Sequence, residues 1–183
     1  MAYTDPVTVS ARNGGQVVLR CAQDQDAAEL LDCAREIMAA DVGNITTPEE
    51  FTINVEQERE WIRGFLDGPN ALLLLAVADG AIVGNISFRP HERARLRHAG
   101  VLGMGVRPGW QGQGIGEALL RQLLHWARRN PQVESVHLQV LGNNPRALRL
   151  YYKCGFTVNG VKPRAVRYGD GSYTDEISMH LLL

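Results

Sequence analysis

The chain has 183 residues, of which 45% are hydrophobic and 21% charged, a composition typical of one globular domain with its own core. Its 19 basic and 20 acidic residues give a net charge of −1, so neither a nucleic-acid nor a membrane partner is predicted. Cys21, Cys33 and Cys154 lie far apart without a C-x-x-C pair, and no metal site is predicted. This sparse cysteine set, with an N-terminus that lacks a signal-peptide pattern, predicts a cytoplasmic protein.

The N-terminal third predicts a tail, a strand and two helices. Residues 1–15 are polar and end in two glycines, which predicts a flexible tail before a single domain at 16–183. Residues 16–22 are predicted to form a strand, and apolar side chains recur at helical spacing over 27–38. Thr47, followed by proline and two acids, predicts a second helix that runs through Phe65 to Gly68-Pro69.

The rest of the chain predicts a sheet with two more helices. Asp79-Gly80 between two apolar runs is a strong hairpin signal. The later patterns predict strands at 99–106 and 133–141, a helix at 114–129, a short helix from Asn144, and two closing strands that turn at 169–171. The order β-α-α-β-β-β-α-β-α-β-β predicts an α/β fold with one mixed sheet and helices on its faces.

A glycine-rich segment, "GWQGQGIGEALL" at 109–120, lies between a predicted strand and a predicted helix. The first turn of a helix has unpaired N–H groups, and glycines before it allow phosphate oxygens to approach them closely. The segment therefore predicts a pyrophosphate site. It fits neither G-x-G-x-x-G, because Glu117 stands at the last glycine position, nor the P-loop, because Ile115 stands in place of the lysine.

Two motifs resemble the GNAT superfamily of acetyl-CoA-dependent N-acetyltransferases. Gln111, Gly114 and Gly116 match its Q-x-x-G-x-G coenzyme A loop. The segment "NPRALRLYYKCGF" at 144–156 matches its N-x-x-A-x-x-L-Y-x-x-x-G-F pattern. The resemblance covers about residues 16–183. It implies a single α/β (α+β) domain with a mixed, mostly antiparallel sheet of about seven strands and about four helices, with acetyl-CoA as co-substrate and a possible homodimer through the C-terminal strands.

The resemblance also implies the site residues. Tyr151 is expected to be the catalytic acid that protonates the departing thiolate; the alternative is an ordinary packed aromatic. Asn144 is first a helix cap, with a pantetheine contact as its second role. The full set expected to bind the cofactor is Met104, Gly105, Val106, Gln111, Gly112, Gln113, Gly114, Ile115, Gly116, Glu117 and Asn144.

The general base is left open, because no motif decides among the acids and histidines. The candidates are Glu60, His98, Glu134, Asp175 and Glu176. The arginine-rich stretch at 89–98 is interpreted either as a solvated connection, which charge runs usually are, or as a contact to an acidic substrate or the coenzyme's 3′-phosphate.

The expected activity is acetyl transfer, by direct attack in a ternary complex, to a primary amine of a small molecule such as an amino acid, a polyamine or an amine antibiotic. Two alternatives stay open: a protein or peptide N-terminal acetyltransferase, and a noncatalytic acyl-CoA-binding sensor. A sensor would not need the acid at Tyr151, which argues against that alternative.

Overall fold

A computed structural model describes residues 4–40 and 43–183. The predicted α/β fold is confirmed. The strands are β1 (Val7–Ser10), β2 (Gln16–Cys21), β3 (Leu72–Ala78), β4 (Ala81–Pro90), β5 (Ala99–Val106), β6 (Ser135–Leu141), β7 (Thr157–Arg167) and β8 (Tyr173–Leu182). The helices are α1 (Ala27–Ala39), α2 (Val55–Leu66), α3 (Ile115–Arg129) and α4 (Pro145–Lys153).

All eight strands form one mixed sheet in the order β1-β2-β3-β4-β5-β6-β8-β7. Every neighbouring pair is antiparallel except β5 and β6, which are parallel. Within the described chain, no helix is both long and apolar enough to cross a membrane.

The predicted flexible tail contains β1, a strand that the sequence analysis does not predict. Val7–Ser10 pairs with β2 over four residues, so this part of residues 1–15 is an edge strand rather than a tail. A four-residue strand carries too little alternation to be detected in a polar segment, and its pairing with β2 is what defines it. Residues 1–3 lie outside the described residues.

Two hydrophobic cores separate the helices by face. On one face, α3 and α4 pack on the sheet around Phe88, Leu119 and Phe156. On the other face, α1 and α2 pack around Leu30 and Ile62. A strand that is covered on both faces has a continuous apolar sequence, which explains the run "LLLLAVA" of β3.

The second helix begins later than predicted. Thr47 makes only half of a capping box, since its N–H donates to the Glu50 side chain and the chain there forms a turn. Asn54 and Gln57 make both reciprocal bonds of a capping box, at 2.9 and 3.0 Å, and the helix starts at Val55. Two capping signals compete in this stretch, and the complete one marks the helix.

β7, the first of the two C-terminal strands, lies at an edge of the sheet and has exposed apolar side chains. Val158 and Val161 are 40% and 51% exposed. Unpaired strand edges are templates for pairing with another chain. A homodimer through the C-terminal strands stays a prediction.

Gly100 provides a test of the sheet near the β5–β6 pairing. A methyl group on Gly100 would lie 2.4 Å from the Phe88 ring and 2.6 Å from the Arg89 carbonyl oxygen. We expect Gly100→Ala to lower the free energy of unfolding by about 1–3 kcal/mol, because a backbone atom blocks the methyl group. Urea unfolding measures this change.

Gly103→Ala is the matched control, since its methyl group would meet nothing closer than Ser87 Oγ at 3.4 Å. Equal stability of the two alanine variants would contradict the packing at Gly100.

Candidate active site

The parallel pairing of β5 and β6 is short, and the two strands separate beyond it. Only three residue pairs are formed, from Ala99–Ser135 to Val101–His137. Beyond Val101, β5 stays paired with β4 as far as Val106, and β6 stays paired with β8 as far as Leu141. The separation opens a cleft of about 740 Å³ between the strands.

The glycine-rich segment forms one wall of this cleft. Gly112 and Gly114 have φ values of +81° and +90°, a left-handed conformation that other residues adopt at a cost. Gly114 is the N-cap of α3, and no atom lies within 4 Å of the position a side chain would take there. No side chain at Gly114 therefore stands in the way of an anion that approaches the first turn of α3, whose N–H groups have no partner within the helix.

The structure brings together nearly all of the predicted site residues. All of them line the cleft except Gln113, whose carbonyl oxygen accepts a bond from the Arg12 N–H at 3.0 Å. The predicted residues in the lining are Met104, Gly105, Val106, Gln111, Gly112, Gly114, Ile115, Gly116, Glu117, Asn144 and Tyr151.

Gln111 connects three elements through its side chain. Its amide nitrogen donates to the Val106 carbonyl oxygen at 3.2 Å, and its amide oxygen accepts from Arg146 at 3.0 Å. These bonds fix the loop between the end of β5 and the start of α4. The polar position in the motif thus has a structural task in this chain: it holds the shape of the glycine loop.

Three guanidinium groups in the lining had no assigned role at the sequence level: Arg12, Arg146 and Arg149. Arg12 donates to the Gly112 carbonyl oxygen at 3.2 Å. No sequence signal identifies Arg12, because the β1–β2 hairpin brings it to a loop a hundred residues away. Arg146 and Arg149 stand inside the quoted 144–156 motif, but its spacing assigns them no task. Together they make this end of the cleft positive.

Glu117 places a negative charge in the first turn of α3, next to the positive end of the cleft. Hydrogen bonds from Lys153 at 2.7 Å and from Arg121 at 2.9 Å lower the pKa of its carboxyl group. The two cations compensate a charge that would otherwise oppose an anion at this helix end.

Asn144 caps α4, as predicted. Its side-chain oxygen accepts a bond from the Ala147 N–H at 3.1 Å. A methyl group on Gly43 would lie 2.6 Å from the Asn144 amide nitrogen, so the segment after α1 approaches α4 here. Ile37, Gly43 and Asn44 also line the cleft.

Tyr151 is almost fully buried but still reaches the cleft. Its side chain is 6% exposed, and its ring packs edge-on against Phe156 at a centroid distance of 5.8 Å. Burial raises the pKa of its phenol to about 12, because the phenolate would lose hydration. The hydroxyl group is therefore protonated at any physiological pH.

None of the five candidate bases lines the cleft. Glu176 is paired with Lys162 at 2.5 Å, and Asp175 accepts a bond from the Arg164 N–H at 2.8 Å. His98 and Glu134 lie at the opposite end of β5 and β6, where the Glu134 N–H donates to the His98 carbonyl oxygen. Glu60 is exposed on α2.

The arginine-rich stretch at 89–98 also lies away from the glycine loop. It leads into the start of β5, whereas the loop follows its end, roughly 23 Å along the strand. Arg89 stacks on the Phe65 ring at 4.3 Å, and Arg97 donates to the Glu92 carbonyl oxygen. These contacts favour the solvated connection over a contact to the coenzyme's 3′-phosphate, and a contact to an acidic substrate stays a prediction.

Arg107 anchors α1 beside the cleft, and sequence reasoning missed it. Its guanidinium group donates to the Ile82 carbonyl oxygen at 2.6 Å and to Glu29 at 3.0 Å, and it also pairs with Glu36. One side chain at the end of β5 therefore fixes the helix that carries Ile37.

Within residues 4–40 and 43–183, no group of three or more acidic, histidine or cysteine side chains is placed to hold a metal ion.

Comparison with known proteins decides the family. The model of the Acetyltransferase (GNAT) family matches residues 31–156, which include β5, the glycine-rich segment and Tyr151. The chain belongs to the GNAT acetyltransferase family. It is an N-acetyltransferase that uses acetyl-CoA as its acetyl donor.

Two relatives and one solved structure show how far the likeness extends. The L-amino acid N-acetyltransferase AaaT of Escherichia coli is 28% identical over 90% of this chain and 96% of its own. The N-alpha-acetyltransferase RimI of Mycobacterium tuberculosis is 36% identical over 60% of this chain and 67% of its own. The structure of YncA from Salmonella typhimurium, solved with its cofactor acetyl-CoA, is 22% identical and shares the fold with a TM-score of 0.81 over 91% of this chain and 94% of its own.

The burial of Tyr151 predicts a late-titrating phenol. The sequence has five tyrosines, and tyrosinate absorbance near 295 nm follows their ionisation. We expect the difference between wild type and Tyr151→Phe to titrate at about pH 12 rather than at the ordinary pKa of 10. A difference that titrates near pH 10 would mean that the ring is solvated.

Proposed function

We propose that this enzyme acetylates the primary amine of a small molecule, an amino acid being the favoured class, by direct attack in a ternary complex with acetyl-CoA. One observation carries the proposal. The helix start at Gly114 and the hydroxyl-bearing ring of Tyr151 line the same cleft, at the place where β5 leaves β6.

The positive end of the cleft fits the coenzyme's phosphates. N–H groups at the start of α3, with Arg12 and Arg146 beside them, supply hydrogen bonds and charge of the sign that a pyrophosphate requires. The pantetheine arm would then follow β5 along Met104, Gly105 and Val106 towards the point of separation, where Asn144 stands on the opposite side.

The separated strand offers the hydrogen bonds that the reaction needs. Beyond Val101, the peptide groups of β5 that point away from β4 have lost their strand partner in β6. An N–H group in this position can donate to the oxyanion that develops when the amine attacks the thioester carbonyl carbon. The C–N bond forms, the C–S bond breaks, and the thiolate receives a proton from the Tyr151 hydroxyl group.

The acceptor class rests on the extent of the likeness to AaaT. That match covers 90% of this chain, so α1, whose Ile37 lines the cleft, falls within it together with α2. The match to RimI is higher in identity but covers 60% of the chain. An amino acid is therefore favoured over a protein N-terminus as the acceptor.

The first experiment is a thiol-release assay with acetyl-CoA against free amino acids, polyamines, aminoglycosides and short peptides. Turnover of free amino acids in preference to peptides supports the proposal. Preference for peptides would assign the protein or peptide alternative instead. Tight binding of acetyl-CoA without turnover of any acceptor would favour the acyl-CoA-binding sensor.

Tyr151→Phe tests the proton donor. We expect kcat to fall by roughly a hundredfold or more, because a general acid contributes about 10²–10⁴ in rate, while the KM for acetyl-CoA stays within twofold. Tyr152→Phe is the matched control, since its neighbouring ring is 56% exposed. If both variants keep wild-type kcat, the assignment of Tyr151 is wrong and the enzyme class is unaffected.

Gly114→Ala tests the coenzyme loop. At a φ of +90° an alanine costs about 1–2 kcal/mol and disturbs the helix start, so we expect acetyl-CoA to bind about tenfold more weakly or worse. Gly109→Ala, which has open space and an ordinary φ, serves as the control. Calorimetric titration with coenzyme A measures both. Unchanged affinity in Gly114→Ala would mean that the phosphates bind elsewhere.

A further inference from the structure

The cleft between β5 and β6 reaches both faces of the sheet. Leu102 and Met104 of β5 pack with the core that α3 and α4 cover. Gly103 and Gly105 alternate with them along the strand and therefore belong to the other face. On that face, a methyl group on Gly105 would lie 2.8 Å from Ile37 of α1. All five residues line the cleft, so its lining contains groups from both sides of the sheet.

In the proposed complex the coenzyme takes one of these faces. The helix start at Gly114 and the Tyr151 ring both belong to the face that α3 and α4 cover. The charged side chains in the described lining stand on α3, on α4 or in contact with the glycine loop, and they are Arg12, Glu117, Arg146 and Arg149. The acceptor is therefore left the face of α1, where the described part of the lining carries no charged side chain.

Gln139 of β6 places a polar side chain on this acceptor face. Its neighbours Leu138 and Val140 are buried in the core beneath α3 and α4. Because side chains alternate along a strand, Gln139 points to the opposite face, which is the face of Gly103 and Gly105. Gln139 is exposed and lines the cleft. A carboxamide from one separated strand thus shares a face with two glycines of the other.

The carboxamide of Gln139 is unengaged, unlike the others in the lining. Gln111 bonds to Val106 and Arg146, and the remaining three are Asn44, which donates to the Ile37 carbonyl oxygen at 3.3 Å, Asn143, which donates to the Tyr168 hydroxyl group at 3.0 Å, and the helix cap Asn144. Within residues 4–40 and 43–183, neither the nitrogen nor the oxygen of the Gln139 side chain has a hydrogen-bond partner. Both are available to a ligand.

The chemistry of an amino acid determines which of these atoms it needs. Its amine must attack the thioester, so the polar group left for recognition is the carboxylate, which only accepts hydrogen bonds. On the acceptor face, the amide nitrogen of Asn44 already donates to a backbone carbonyl oxygen. The amide nitrogen of Gln139 offers both of its N–H groups.

Building on the proposed function, we infer that Gln139 determines the acceptor: its amide nitrogen donates to the carboxylate of an amino acid that enters from the face of α1. The bond holds the amine towards the acetyl group on the coenzyme. Because the donor is neutral, no second charge is desolvated when the carboxylate binds. Gly103 leaves room beside it, since a methyl group there would meet nothing closer than Ser87 Oγ at 3.4 Å.

The test compares two acceptors that differ only in the carboxylate: the free amino acid that the wild type acetylates fastest, and the amine that remains when its carboxylate is removed. Gln139→Glu keeps the size of the side chain and replaces the N–H donors with a negative charge. We expect kcat/KM for the amino acid to fall by about 10²-fold or more, because like charges then face each other. For the amine, kcat/KM should stay within about threefold; if it is not turned over, its inhibition constant is measured instead.

Gln139→Ala removes the donor without adding a charge. We expect the KM for the amino acid to rise by about tenfold, the size expected for one hydrogen bond to a charged group, with little change for the amine. The loss should therefore follow the carboxylate in both variants.

Ser178→Ala is the matched control. Ser178 of β8 lies directly opposite Gln139 in the β6–β8 ladder, so it shares the same face, but it does not line the cleft. We expect this variant to match the wild type with both acceptors. The KM for acetyl-CoA should stay within about twofold in all three variants, and thermal unfolding should match the wild type for both variants of the exposed Gln139.

Equal losses on the two acceptors, or a wild-type kcat/KM for the amino acid in the Gln139 variants, overturn the inference and leave the proposed function intact. A wild type that acetylates no free amino acid overturns both the inference and the favoured acceptor class, and that result is seen before any variant is made.

Discussion

The early end of the parallel ladder between β5 and β6 is the constraint on which the rest of the structure depends. Each of these strands is bound on its outer side by an antiparallel partner that continues past the point of separation: β4 holds β5 to Val106, and β8 holds β6 to Leu141. The two strands therefore cannot close on each other without breaking a longer ladder. The opening is a fixed property of the sheet, and its unpaired backbone groups remain available to a ligand.

Two side chains close to the end of β5 hold the walls of this opening in place. Gln111 ties the glycine loop to the end of β5 and to Arg146 of α4, while Arg107 ties the same strand end to α1. The coenzyme side and the acceptor side of the cleft are thus fixed to one strand end by two side chains that are four residues apart in sequence. A site in which donor and acceptor must meet at a defined distance benefits from this shared support, because misplacement of either one slows the reaction.

The sequence predicted the parts of the site that are encoded locally. The Asp79-Gly80 hairpin, the Asn144 cap and the glycine-rich helix start each rest on a few consecutive residues whose backbone chemistry has few alternatives. It missed what contacts between distant segments create. Arg12 reaches the glycine loop because β1 pairs with β2, and α2 starts at Val55 because one of two competing caps is complete. The general base was left open among five candidates, and none of the five lines the cleft.

Burial acts on the titratable group that reaches the opening, and the proposed reaction uses the resulting shift in pKa. For Tyr151, a pKa of about 12 keeps the donor protonated until a thiolate forms, and a thiolate in the same poorly hydrated cleft is itself a stronger base than in water. Tyr151 belongs to the core on the face of the sheet that α3 and α4 cover, the face that also carries the glycine-rich helix start. The proton therefore reaches the sulfur from the same side of the separated strands as the one that holds the coenzyme's phosphates in the proposed complex.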